Sequence, residues 1–456
     1  MNVGLKYLAI GIVSFFVVGC ASIRPTVQVP EKRELGREFA SPIPVSIEPQ
    51  AERADTAFSV ADSGDVLTLR QALQLALLNN PALQGFSYEV RIREAQALQA
   101  SLLPNPEVGL EVENIGGQGD VRGLRAAETT LQFSQLIELG GKRQKRTRVA
   151  ELEGNLAGWD FEARRLDVYA ATVEAYVAVV AAQERVRLSR ELVALAESFL
   201  KNIYERVEKG KDSPAEAARA EVELANATVE LQAAEKALQS ARQQLAALWG
   251  STRLKFQRVS GKLDTVVALP PLDNLVDYVV KNPDIARWAA EKQLADARLA
   301  SEKAQRIPDP VVSGGIRRLN EIESNAFVMG ISVPLLVFNR NQGNIRAAEL
   351  QRLQVERFQE AALIAVRSNL VTLYNQLTAV RDEIQIIRTQ SLPRAEEAFR
   401  IIREGYLSGR FGFLDVLDAQ RTLFDVRSRY VDALAEFHTL VAQIERLTAH
   451  RIDGFF

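Results

Sequence analysis

Two kinds of periodicity recur along the chain, each in either half. Strict alternation sets Val108, Leu110 and Val112 against Glu107, Glu111 and Glu113, and later Phe327, Met329, Ile331 and Val333 against Val328, Gly330 and Ser332. A period of two sends successive side chains to opposite faces, so these stretches predict β-strands with one apolar face. Each half offers two such segments around a polar loop, 116–123 in the first and 319–324 in the second. They read as β-hairpins over about 106–136 and about 310–334. Residues 310–319 alternate poorly, and the pattern leaves their facing open.

After each hairpin the period turns helical and stays so. Val149, Leu152, Leu156, Trp159, Ala163, Leu166, Tyr169, Val173, Tyr176 and Val180 step by three and four, with no proline between Gly141 and Gly210. At about 1.5 Å per residue, a span of about 68 residues is roughly 100 Å long, well beyond globular helix length, and it implies a coiled coil. A break at 209–214 is followed by Leu224, Leu231, Ala234, Leu238, Ala241, Leu245 and Leu248. The second half repeats this through Leu363, Val366, Leu370, Leu373, Leu377, Val380, Ile384 and Ile387, breaks near 405–412, and resumes at Leu423, Val426, Tyr430, Ala433, Phe437, Leu440, Ile444 and Leu447. Long helical hairpins are expected over about 141–250 and about 340–449, and Pro393 should kink or split the helix that holds it.

The halves share landmarks in order: Asn79-Asn80-Pro81 with Lys281-Asn282-Pro283, Pro104-Asn105-Pro106 with Pro308-Asp309-Pro310, and 245–248 with 444–447. Short helices over 81–102 and 283–306 end at the Pro-x-Pro that no helix passes. A unit of about 200 residues is too long for a solenoid repeat, so the chain is expected to hold two pseudo-equivalent halves, 65–265 and 266–450, with a tail over 451–456.

The N-terminus differs. Lys6, an apolar run from Tyr7 to Val18, then Gly19 and Cys20 have the layout of a secretory signal over 1–19, too short for a retained span. Val17-Val18-Gly19-Cys20 resembles a bacterial lipobox, which implies acylation at Cys20; Ala21 after it favours the outer membrane by resemblance to other lipoproteins. Residues 20–64 carry Pro25, Pro30, Pro42, Pro44 and Pro49 without a sustained apolar period, and read as an extended tether.

Charge and composition then remove whole classes of function. Lys and Arg total 56 against 58 Asp and Glu, so the basic footprint of a nucleic-acid binder is missing. With 1 Cys and 2 His, at His438 and His450, one chain cannot assemble a His/Cys zinc site, and no cofactor is expected. Gly140-Gly141-Lys142-Arg143 lacks P-loop spacing and marks instead the junction between the first hairpin and the long helix. No nucleophile, base and orienter pattern stands out, so an enzyme is not expected.

Four amphipathic strand segments cannot close a membrane barrel, because closed barrels begin at about eight strands and an open edge in lipid leaves backbone groups unpaired. The chain must share strands with copies of itself. The repeat order, the Pro-x-Pro corners and the long antiparallel helices resemble the TolC-like outer membrane efflux family over almost everything after residue 65. The resemblance implies a mainly α chain with a membrane β part, a homotrimer with a 12-stranded barrel continued by an α-helical tunnel, and outer membrane lipid around it. It also implies two partners, a periplasmic membrane-fusion adaptor and, through it, an inner-membrane pump of the resistance-nodulation-division class.

Two stretches sharpen the resemblance. Gly405-Tyr406-Leu407-Ser408-Gly409 with 414–420 is similar to the family's Gly-Tyr-x-x-Gly turn and Asp-Val-Leu-Asp-Ala segment at the closed periplasmic end. Asp415 and Asp418 share a helix face, and threefold copies would stack two carboxylate rings that attract cations; two solvated aspartates at a helix start are the plainer alternative. The resemblance assigns adaptor contact to the tips at Gly210, Ser213, Pro214, Tyr406, Gly409 and Gly412; merely exposed hairpin loops fit the same residues. An Arg often braces the family's turn two residues before the position of Phe413, where this chain has Phe411 beside Arg410. Ser134–Arg143 is similar to the CzcC-like heavy-metal branch, which implies metal cations as cargo. A conduit for drugs or other organic compounds, and a structural coiled-coil lipoprotein without transport, are the competing readings.

Overall fold

The computed structural model describes residues 25–39 and 66–452, so the lipobox with Cys20 lies outside the described residues. The first half runs β1 (Val66–Leu67), α1 (Leu69–Asn79), α2 (Pro81–Ser101), β2 (Glu107–Glu113), β3 (Glu128–Leu136), α3 (Lys142–Glu208) and α4 (Pro214–Ala247). After β4 (Arg258–Val259) the second half runs α5 (Leu272–Val279), α6 (Pro283–Ala304), β5 (Val311–Leu319), β6 (Ser324–Ser332), α7 (Gln342–Ile386), α8 (Leu392–Leu407) and α9 (Phe413–Thr448). The fold is mainly helical with a β part, and each half has the order helix, helix, strand, strand, long helices. Compact units do not follow the repeat boundary. Of the described residues, one takes 25–30, Tyr88–Trp159 and Arg287–Glu360; the other takes 31–39, 66–87, Asp160–Ala286 and 361–452.

In the first unit the hairpins of both halves join into one antiparallel sheet of order β2-β3-β5-β6. Its register sorts the side chains. Val108 pairs with Phe133, Leu110 with Leu131, Leu131 with Ile316, Ile316 with Phe327, and Val312 with Ile331. Because cross-strand partners share a face, these residues and Met329 make one apolar face, and they are exposed, Met329 to 90%. The opposite face carries Glu107, Glu111, Glu113, Glu128, Thr130 and Arg317. Arg317 is ion-paired to Glu113 at 3.2 Å and Glu128 at 2.8 Å. The register also settles β5, whose apolar positions Val312 and Ile316 fall on the apolar face. Also in this unit, the backbone N–H groups of Thr26 and Gln28 donate to Glu151 and Asn155 of α3, at 3.0 and 2.6 Å.

The second unit has one device twice. Asn80 Nδ2 donates to the Leu248 carbonyl at 2.7 Å while its Oδ1 accepts from Leu83 N–H at 2.9 Å. Asn282 Nδ2 donates to the carbonyls of Arg446 and Leu447 at 3.0 and 2.8 Å, and its Oδ1 accepts from Asp284 N–H at 2.7 Å. Each buried Asn thus starts its short helix and satisfies carbonyls at the end of its half's last long helix. Part of the stretch before the first half is held in this unit: Glu162 and Arg165, 2% and 1% exposed, pair with each other and bind the backbone of Arg33 and Leu35. The most apolar window of α3 is 67% buried, as for a core helix.

Helix α7 runs into a π-turn, Ile387–Ser391, and then α8. Pro393 offers no N–H to the carbonyl of Thr389, four residues back, and the widened turn lies where that bond is lost.

Candidate functional site

The tips of the two helical hairpins are built alike. Helix α3 closes on Gly210 (φ +70°), whose N–H reaches the Val207 carbonyl at 2.9 Å while Lys211 N–H reaches Arg206 at 2.8 Å. Helix α8 closes on Gly409 (φ +77°), with Gly409 N–H on Tyr406 at 3.0 Å and Arg410 N–H on Gly405 at 2.8 Å. This is the paired-bond cap that needs a left-handed residue, which glycine adopts without strain. The next helices restart with caps. Ser213 Oγ accepts from Ala215 N–H at 3.2 Å ahead of Pro214, and Asp415 Oδ2 accepts from Gly412 N–H at 2.8 Å.

Between the tips lies a clasp. Arg206 grips Asp212 through two bonds, Nε to Oδ2 at 2.6 Å and Nη2 to Oδ1 at 2.8 Å. The Tyr406 hydroxyl donates to Asp212 Oδ2 at 3.0 Å, and the Arg206 guanidinium lies 4.8 Å from the Tyr406 ring centroid. Tyr406 is 1% exposed and meets the rings of Phe199 and Phe413 at 6.3 and 6.2 Å. Arg206 donating to Asp212 holds that carboxyl below its ordinary value, and burial, with the Asp212 carboxylate beside it, pushes the Tyr406 phenol up. Both shifts keep the carboxylate charged and the phenol a donor at neutral pH. Around the clasp Phe199, Ile203, Ala217, Ala220, Phe399, Val416 and Leu423 make an apolar core drawn from α3, α4, α8 and α9.

The strand-to-helix junction is a second polar cluster. Gly140 and Gly141 both have φ +68° and turn the chain into α3. Lys142, 6% exposed, donates to Asp309 and to the Ile307 carbonyl, each at 2.6 Å, and Asp309 also accepts from Leu139 N–H at 2.8 Å. One turn on, Arg146 pairs with Glu138 and donates to the carbonyls of Ala100 and Leu102. The first turns of α3 therefore tie down the chain beside both Pro-x-Pro corners. Arg143, half-buried, contributes its carbonyl, which accepts from Thr147 Oγ1 at 2.8 Å.

The outer membrane efflux protein family matches residues 72–251 and 275–450. The chain belongs to that family. Among its relatives, the cobalt-zinc-cadmium resistance protein CzcC of Cupriavidus metallidurans is 37% identical over 381 residues, 84% of this chain and 90% of the relative. The nickel and cobalt resistance protein CnrC of the same organism is 33% identical over 282 residues, 61% of this chain and 65% of the relative. The fold is shared with the CmeC outer membrane channel of Campylobacter jejuni, with a TM-score of 0.69 at 17% identity over 94% of this chain and 95% of that one. This outer membrane efflux protein is therefore located in the outer membrane, and its family works there as efflux channels, in trimers, within tripartite systems.

Among the residues singled out from sequence, the structure gathers Gly210, Ser213, Pro214, Tyr406, Gly409 and Gly412 into the two tips. Asp415 and Asp418 are both exposed on the first turns of α9, outside the clasp. Gly140, Gly141 and Lys142 make the junction. Sequence reasoning gave no individual role to Arg206, Asp212 or Arg146, and read Asp309 only as the centre of a Pro-x-Pro landmark. Beside Phe413, Phe411 covers Gly405, where a Cβ would lie 2.2 Å from its ring, while the arginine that reaches the Tyr406 turn is Arg206 of the other hairpin. Arg206 and Asp212 flank Gly210 with opposite charges, which was the available signal. Among the described residues no group of His, Cys, Asp and Glu could hold a metal ion.

Proposed function

We propose that this efflux channel subunit is one third of a passive conduit for heavy-metal cations, gated at its helical tips. The sheet carries the conduit reading. It ends at β2 and β6, whose outer edges have no strand partner among the described residues, and one of its faces is apolar and exposed. In lipid such edges must be paired, and three copies supply twelve strands, enough for closure with the polar face inward. The relatives named for cobalt, zinc, cadmium and nickel resistance support metal cations as the cargo, with no tight site needed along a wide path.

In this reading Cys20 carries the acyl chains that anchor the subunit, and Lys142 with Arg146 holds the junction between strands and helices. The tips at Gly210, Ser213, Pro214, Tyr406, Gly409 and Gly412 meet a periplasmic adaptor that leads to an inner-membrane pump. Asp415 and Asp418 from three copies set acidic rings that draw cations to the pore, and the Arg206–Asp212–Tyr406 clasp holds the tip closed until the adaptor engages.

A strain lacking this gene should become at least severalfold more sensitive to cobalt, zinc or cadmium, with unchanged tolerance of hydrophobic drugs, and the wild-type gene should restore growth. Sensitivity to drugs alone would sink the metal reading. Normal growth on both panels would sink the conduit.

A further inference from the structure

One buried polar side chain lies on the stretch of α9 that supplies the apolar core of the tip. Gln420 sits on α9 between Val416, Leu417 and Leu423, three or four residues away on the same buried face. It is 1% exposed, and neither its amide oxygen nor its amide nitrogen has a hydrogen-bond partner among the described residues. Its surroundings explain why. The neighbouring cluster from α3, α4 and α8 is supplied by Phe199, Ile203, Ala217, Ala220, Ala395, Phe399 and Tyr406, and the one polar side-chain atom among these, the Tyr406 hydroxyl, is committed to Asp212. The backbone of a helix interior is occupied by its own ladder.

We propose that Gln420 is a packing fault built into the tip, which keeps its closed arrangement marginal so that the tip can open. Like the gate it serves, this rests on the reading of the tips as the closed end of the conduit. The amide has lost its water and gained nothing, and a buried group so treated weakens the closed arrangement by roughly ten- to a hundredfold in its equilibrium. Opening lets water reach the amide and returns that loss. The satisfied Arg206–Asp212–Tyr406 clasp pulls the other way, and the two together give an element with two states of comparable free energy. An apolar side chain of similar volume at position 420 removes the fault without leaving a cavity.

The test uses full-length, lipid-reconstituted protein with Gln420→Met and, as a second route should that variant pack badly, Gln420→Leu. Hydrogen exchange should slow about tenfold in peptides from 395–423 and stay unchanged in 431–448, and planar-bilayer current should fall. Unchanged or faster tip exchange in both variants overturns the proposal, as does slower exchange with undiminished current while Tyr406→Phe still raises it. Tyr406→Phe separates the two ideas. If it speeds tip exchange but leaves the current unaltered, the tip is not the gate and the proposed role in opening goes with it, whereas slower exchange in the Gln420 variants would still establish the fault as a feature of packing.

Discussion

Asp212 accepts from both Arg206 and Tyr406, so neutralising any one of the three leaves the others with groups that water must satisfy. The clasp is thereby tied to pH in a definite sense. The Asp212 carboxyl lies below its ordinary value, so the stability it lends is present above the unfolded value and is lost as acid takes the pH down through the lowered one. Glu445 has the opposite sign. It is fully buried, accepts from Ile452 N–H at 2.8 Å, and burial pushes it up to about 7. The native chain then holds a proton that the unfolded chain releases from about pH 4.5 upward, so Glu445 lowers stability progressively as pH rises to about 7, and fully above it. Glu445→Gln should flatten this dependence and raise stability at pH 8 by about 3 kcal/mol, read from thermal melts at pH 5 and pH 8; an equal gain at both pH values would refute it. At this scale the sequence was only partly legible. Tyr406 stood out through its Gly-Tyr-x-x-Gly turn, but Asp212 and Arg206 are nearly 200 residues from it in sequence, and no local pattern reports a contact made by two separate hairpins.

Periodicity served elements better than residues, because burial of one face governs helix and strand alike. It could not orient β5, where Ser313, Gly314 and Gly315 blur the alternation; only pairing with β3 and β6 fixes that facing. Nor could it show that residues 25–39 are bound, since a strap held through its backbone carries no apolar period. Pro393 was readable as a break, and the π-turn is how the helix absorbs it. The junction was marked by its glycines and basic run, while its chemistry lies in Asp309, supplied by the other half. The pair is nearly buried, with side chains 7% and 18% exposed. Lys142→Met should therefore cost about 3–5 kcal/mol, because it strands the Asp309 carboxylate, and Lys142→Met with Asp309→Leu should recover much of that. A double-mutant cycle on urea unfolding of the purified channel checks it, and simple additivity of the two changes would deny that the residues act as a pair.

At the level of the molecule, duplication explains why so much of the architecture could be anticipated. Each half repeats the same order of elements, the same Asn at the start of its short helix and the same glycine-closed tip. What duplication hides is that neither half is a compact body: one unit combines both hairpins in a single sheet, and the other combines both tips. That sheet has a consequence that separates a lipid-embedded wall from an ordinary protein surface. Phe327 lies on the apolar face, in line with Ile316 and Leu131, while Glu111 lies on the polar face opposite Thr130. Both are exposed in one chain, so a water-facing sheet would tolerate arginine equally at either. In a barrel wall Phe327→Arg must place a charge in hydrocarbon, at about 2–4 kcal/mol per copy near mid-membrane, whereas Glu111→Arg keeps its charge in the aqueous lumen. If copies assemble together, the penalty in Phe327→Arg is incurred three times over. Outer-membrane fractions should then contain assembled Glu111→Arg channel at near wild-type amount and little assembled Phe327→Arg, measured by heat-modifiable mobility on gels. Equal assembly of the two variants would mean that the apolar face meets something other than lipid.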